Sequence, residues 1–185
     1  MSAVTPEPGN APERGARAQA IVAAARQILE AEGREALTMR RLGEAVGIRA
    51  PSLYKHFADK ATVELALVEL AFQEIAVTVE QAVACHGASL ATVMTAYRSF
   101  ALAHPHLYRL MTEGQLARHL LPAGVEERAA APLIQVAGER NLARAAFAFA
   151  HGMTLLELDG RFPPDADIDA AWREGTRALA ALALR

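Results

Sequence analysis

A chain of 185 residues has room for one generous domain or two small ones, and its 52% hydrophobic share, dominated by alanine and leucine with only 5% aromatic residues, favours an all-helical fold with a real core. The single cysteine, Cys85, excludes an intramolecular disulfide and a thiolate metal cluster and makes a cytoplasmic address the simplest expectation. A formal charge of −2 argues, taken alone, against a nucleic-acid partner, so such a partner would have to be met by a local concentration of positive charge.

The first dozen residues, MSAVTPEPGNAP, hold three prolines, one glycine and neither a basic residue nor an apolar run, so residues 1–13 are predicted to be a disordered tail rather than a secretory signal. A first helix is predicted over Arg17 to Glu32, where Ala20, Ile21, Ala24, Ile28 and Leu29 recur at helical spacing before Gly33. Thr38 is a candidate N-cap for a second helix running through Val46, with Met39, Leu42, Ala45 and Val46 apolar and Gly47 as its stop. A third opens after Ile48 and Arg49 with Pro51 in its first turn and is predicted to reach about Phe57. Helices of about two turns have no stability of their own. These two must pack on each other and on the first, through Leu42, Val46, Ile48, Leu53 and Phe57. Gly43 allows a close approach and Gly47, four residues on, makes the tight turn, which is the spacing of a helix-turn-helix.

Asp59 is placed to cap a fourth helix with Val63, Leu67, Leu70, Ala71 and Ile75 at helical spacing, continuing to about Ala84. A fifth ends at His104, because the residue before a proline is pushed out of the helical region. HLYRLMTEG then reads as a short apolar piece and LLPAG as a break. Further helices are predicted over Val125 to Ala137, Asn141 to Leu158 and Asp167 to Leu184, for about nine in all. The longest charge-free window of the C-terminal half, Ala145 to Leu156, is twelve residues, short of the roughly 18 needed to span a bilayer.

Charge is unevenly spread. Residues 1–60 carry nine Lys or Arg against seven Asp or Glu, whereas residues 61–185 carry ten against fourteen. Between Thr38 and Lys60 the basic residues Arg40, Arg41, Arg49, Lys55 and Lys60 face only Glu44 and Asp59, and both lysines of the chain lie there. The basic character coincides with the helix-turn-helix spacing.

Enzyme readings fare poorly. Cys85 and His86 are adjacent, so on a helix they point about 100° apart and cannot act as nucleophile and base. His104 and His106 flank Pro105 with no acidic residue nearby. Asp165, Asp167 and Asp169 start like a calcium loop, but Ala170 stands where glycine is needed and Thr176 where a glutamate should close it. They read better as a cap and N-terminal charges for the last helix. Neither a phosphate-binding glycine loop nor a nucleophile elbow is present, so no catalytic residue, metal ligand or cofactor is expected.

The string LTMRRLGEAVGIRAPSLYKHFADKATV, Leu37 to Val63, resembles the TetR family of bacterial one-component transcriptional regulators, and the resemblance extends from Arg17 to about Val63. Farther on, AFAFAHGMTLLELDGRF resembles the eighth helix of the subgroup named for its Trp-His-Gly pattern, with His151 and Gly152 in place and Phe147 where tryptophan is usual. The resemblance implies an all-α protein with a helix-turn-helix DNA-binding domain at residues 14–60 and a helical ligand-binding and dimerisation domain at 61–185. It further implies a ligand-responsive regulator, most often a repressor, that binds a palindromic operator as a homodimer through its last two helices and is released by a small-molecule effector.

A helix-turn-helix lays its second helix in the major groove with N-terminal residues against base edges, here Arg49, Ala50, Ser52 and Leu53. The resemblance adds phosphate contacts from Thr38, Tyr54, His56 and Lys60 and puts Lys55 close to the bases. Arg40 and Arg41 are read as a solvated helix face. For the effector, Phe72, Tyr97, Phe100, Leu107, Leu110, Met111, Phe147 and His151 stand where this family often surrounds a small molecule, with ordinary core as the competing reading of each. The competing class for the whole chain is an all-helical module that carries a ligand or partner protein, its basic patch incidental. DNA binding that weakens steeply with salt separates the two.

Overall fold

The computed structural model describes residues 15–183, and the predicted tail lies outside them. Among the described residues the chain forms nine α-helices, two 3-10 turns and no strand. The helices are α1 Ala16–Glu32, α2 Met39–Val46, α3 Ala50–Tyr54, α4 Lys60–His86, α5 Leu90–Ala103, α6 Pro105–Thr112, α7 Val125–Ala137, α8 Arg140–Leu158 and α9 Ile168–Ala183. The 3-10 turns, Arg34–Ala36 and Arg118–Leu120, carry no sequence signal that periodicity detects.

The boundaries follow local chemistry. The Thr38 hydroxyl accepts from the Arg41 N–H at 3.1 Å and starts α2, and Gly47, at φ 65° and ψ 35°, ends it in the left-handed region that a Cβ disfavours. Asp59 and Thr62 cap α4 reciprocally. Asp167 accepts from the Ala170 N–H at 2.8 Å at the start of α9, the capping role expected of it. His104 leaves the helical region before Pro105 and separates α5 from α6.

α3 is shorter than predicted. It closes at Tyr54, and Lys55 and His56 form a turn in which the His56 and Phe57 N–H groups both donate to the Leu53 carbonyl, at 2.9 and 3.1 Å. That tightening brings Phe57 inward, 6% exposed, and leaves Asp59 free to open α4.

One core runs the length of the molecule. α1 contributes Ile21, Ala25, Ile28 and Leu29; α4 contributes Val63, Ala66, Leu67, Ala71, Ile75 and Val79; α5 and α6 add Phe100, Leu107, Tyr108 and Leu110. α4, 27 residues and roughly 40 Å long, packs against α1 and against α5, α6 and α7. A second cluster, Leu90, Met94, Ala146, Ala150 and Trp172, joins α5, α8 and α9. There α9 comes so close that a Cβ on Gly175 would sit 2.2 Å from the Phe149 ring.

Candidate nucleic-acid interface

The reading head is built on two glycines and an inward-facing apolar set. A Cβ on Gly43 would lie 3.1 Å from the Ile48 carbonyl oxygen, so the chain leaving the turn runs directly against α2. The Ile48 N–H donates to the Gly43 carbonyl at 3.0 Å and fixes that crossing. Leu42, Leu53 and Phe57 are buried beside Ile21, Ile28 and Leu29 of α1, as short helices require. The Arg17 guanidinium donates to the Val46 carbonyl at 3.3 Å and the Arg41 guanidinium to Glu32 at 2.7 Å, binding α2 to α1.

With Leu53 and Phe57 turned inward, Arg49, Ser52, Tyr54, Lys55 and His56 are left exposed. Arg49 occupies the N-cap position of α3 in extended backbone, and its carbonyl accepts from Ser52 and Leu53. Ala50 is the first helical residue. Leu53 corrects the sequence reading: it is completely buried and cannot face bases, because the same residue seals α3 onto the core. Arg40 and Arg41 pair with Glu44 and Glu32, a solvated face as predicted. Among the described residues no carboxylate pairs with Arg49 or Lys55, so their charge is unneutralised.

Thr38 and Lys60 have additional duties. The Thr38 oxygen is engaged as a cap, while its hydroxyl hydrogen can still donate. The Lys60 ammonium donates to the Arg34 carbonyl at 3.0 Å and lies 3.6 Å from Glu64. Arg34 grips the same Glu64 carboxylate through bonds of 3.0 and 2.8 Å, and this holds the Glu64 carboxyl below its usual range.

In the other half of the molecule the Tyr97 and Tyr108 hydroxyls lie 2.7 Å apart, and the Tyr108 hydroxyl lies 2.7 Å from His151 Nδ1. Phe147 stacks on His151 with centroids 5.8 Å apart and meets Tyr97 edge-on at 6.0 Å. Burial pushes the Tyr108 phenol up to about 12 and Tyr97 upward as well, and desolvation lowers His151 below 6.5, so all three are neutral near pH 7. Two of the eight predicted pocket residues, Tyr97 and His151, thus meet at Tyr108, which sequence reading missed, and a third, Phe147, packs on both of them. The signal was available: a tyrosine inside an apolar stretch must find a partner for its hydroxyl. Phe100, Leu107, Leu110 and Met111 are buried in the main core, and Phe72 packs half-buried against it. A surface groove of about 570 Å³ lies elsewhere, at the α7–α8 turn beside Leu182 and Ala183.

Residues 21–67 match the family described as bacterial regulatory proteins, tetR family, and residues 90–179 match the tetracyclin repressor-like C-terminal domain. An uncharacterized HTH-type transcriptional regulator of Mycobacterium tuberculosis is 30% identical over 174 residues, covering 88% of this chain and 79% of that protein. The chain belongs to the TetR family. The TetR fold recurs in a protein of unknown function from Rhodococcus sp. RHA1, 23% identical with a TM-score of 0.77 over 92% of this chain and 96% of that one. It recurs also in a TetR variant from Acinetobacter baumannii AYE in complex with minocycline, 22% identical with a TM-score of 0.60 over 88% and 93%. As a TetR-family protein the chain is a DNA-binding transcriptional regulator, and the family is one of regulators rather than enzymes. No helix among the described residues is long and apolar enough to cross a membrane.

Proposed function

We propose that this regulator binds a palindromic operator as a homodimer, with α3 of each copy in the major groove, and that a small, mostly apolar effector releases it, so that its output is repression. The observation that supports this most directly is the exposed, unpaired positive charge of Arg49 and Lys55, carried on a head whose apolar side is sealed by Leu53 and Phe57. In this reading residues 14–60 read DNA, residues 61–185 sense and pair, and the site of action is the cytoplasm.

Arg49 reads guanine through paired bonds to O6 and N7, with Ala50 and Ser52 against neighbouring base edges and Lys55 beside them. Thr38, Tyr54, His56 and Lys60 hold phosphates and set the register. One head covers too few base pairs for specificity, so two heads related by a two-fold axis engage half-sites about 34 to 36 Å apart, or a multiple of that. α8 and α9 supply the axis: Ala145, Ala148 and Leu156 on α8 and Ala178, Ala181 and Leu182 on α9 are exposed, and small side chains let paired helices approach closely.

The effector is placed among Phe72, Tyr97, Phe100, Leu107, Leu110, Met111, Phe147 and His151, with the tyrosine and histidine groups offering the few polar contacts. That a protein of the same fold forms a complex with minocycline supports a small-molecule effector. The effector acts by preferring a conformation in which the two heads no longer match the groove spacing. The test is to select operators from random duplex DNA and then to screen metabolites by calorimetry, with and without the operator. A bound metabolite that weakens operator affinity supports the reading; a panel with no binder and no effect on affinity makes the protein an effector-independent regulator.

A further inference from the structure

α6 is an eight-residue helix whose own sequence leaves its start uncapped. Pro105 occupies its first turn and His104, at the N-cap position, makes no side-chain capping bond. The missing acceptor comes from the reading head: a Glu30 carboxylate oxygen on α1 accepts the Leu107 N–H at 3.0 Å, across 77 residues of sequence. A carboxylate at a helix start satisfies a free N–H and also faces the positive end of the helix dipole. His106 lies beside the end of α1, its imidazole 3.7 Å from where a Cβ on Gly33 would stand.

α6 packs on α4 and α5, and two of its side chains reach α8 and the residue just after it. The Tyr108 hydroxyl lies 2.7 Å from His151 Nδ1, and the Arg109 guanidinium pairs with Asp159 just past the end of α8. α6 is therefore seated on the core through Leu107, Leu110 and Met111, with its start bonded to α1 and two of its side chains, Tyr108 and Arg109, bonded to α8 and the residue that follows it. Two further ion pairs, Arg26–Glu74 and Arg34–Glu64, tie the head to α4 but do not reach α8.

We infer that Glu30 is the positioning residue through which α8, with its Tyr108–His151 bond, sets the attitude of the reading head. A shift of α8, caused by a partner copy or by an effector, moves α6 through Tyr108 and Arg109, and the cap on Leu107 carries the movement into α1. Without the carboxylate, α6 still folds into the core through Leu107, Leu110 and Met111, but its start is no longer bonded to the head. The inference rests on the proposed regulation for its biological meaning, while the physical link itself is testable without DNA.

The experiment is a double-mutant cycle between Glu30→Ala and His151→Ala with two readouts. Hydrogen exchange of the free protein is expected to show that His151→Ala loosens amides of both α6 and α1 in the wild-type background, and of α6 alone in the Glu30→Ala background. On an operator selected from random DNA, His151→Ala is expected to change affinity about three- to tenfold in the wild type and by less than about twofold beside Glu30→Ala. Glu30→Gln, whose amide oxygen can still accept the Leu107 N–H, is expected to restore part of the coupling. Equal spread of exchange into α1 in both backgrounds, or no spread in either, overturns the inference. Exchange coupling in a protein that binds no DNA leaves the Glu30 link standing and removes the operator reading instead.

Discussion

Arg98 on α5 and Glu157 on α8 face each other through two parallel bonds of 2.9 and 2.7 Å, with the Arg98 guanidinium also 5.4 Å from the Trp172 ring centre and the Trp172 N–H 3.3 Å from Glu157. Asp169 on α9 takes the remaining side of Arg98 at 2.6 Å. One guanidinium thus joins three helices, two of which are the proposed pairing surface. Because both members of the Arg98–Glu157 pair are mostly buried, removing one strands the other. Arg98→Met is expected to cost about 2 kcal/mol in urea unfolding, and Trp172, the chain's only tryptophan, reports the local change by fluorescence.

Gly175 tests the close approach of α8 and α9. The Phe149 ring sits where its Cβ would be and meets Trp172 edge-on at 5.7 Å. Gly175→Ala must push that ring away from Trp172. We expect a loss of roughly 1 to 3 kcal/mol with a shift in Trp172 emission, and a lower proportion of dimer by sedimentation.

In the reading head, Gly47 has open space around it, so its cost of substitution comes from the backbone alone. At φ 65° an alanine is expected to cost about 1 kcal/mol. Gly47→Asn should recover part of this, since asparagine tolerates the left-handed region. Thermal melts of the three proteins give the order Gly, Asn, Ala.

His151 makes stability depend on pH in a defined window. Desolvation lowers its pKa in the folded state below the ordinary 6.5, so the unfolded chain takes up a proton that the folded chain resists. The contribution is fully present above about pH 6.5 and is lost as pH falls beneath it. Carboxylates that arginines hold low, Glu64 by Arg34 and Asp169 by Arg98, titrate in a separate, more acidic window. The melting temperature is expected to fall between pH 7.5 and 5.5, and to fall less in His151→Gln, which keeps an acceptor for Tyr108 and removes the titration.

Much of the fold is legible because the boundaries are set by residues with strong local preferences. Thr38, Gly47, Asp59 and Pro105 each act within four residues of themselves, and the helices end where they direct. The shortness of α3 was not legible, because Lys55 and His56 are good enough helix residues and only the burial of Phe57 decides the matter. The site divides the same way. Exposure of Arg49, Tyr54 and Lys55 follows from the period of the buried residues, whereas the double use of Leu53 needed the packed head to resolve it. Pairs such as Glu30 with Leu107 or Arg98 with Glu157 join residues 77 and 59 apart, and no local pattern announces them.

Salt dependence of operator binding addresses the central claim most directly. The purified chain is titrated onto its selected operator between about 50 and 200 mM salt, with the stoichiometry read in the same experiment; each phosphate neutralised adds about −0.9 to the log–log slope. The account predicts two chains per palindrome and a steep negative slope. Lys60→Ala should weaken binding to all sequences alike and flatten the slope by about one phosphate for each copy, while Arg49→Ala should relax preference at one position of each half-site. A monomer that binds duplex DNA weakly with a flat salt response, unchanged by either substitution, would contradict it.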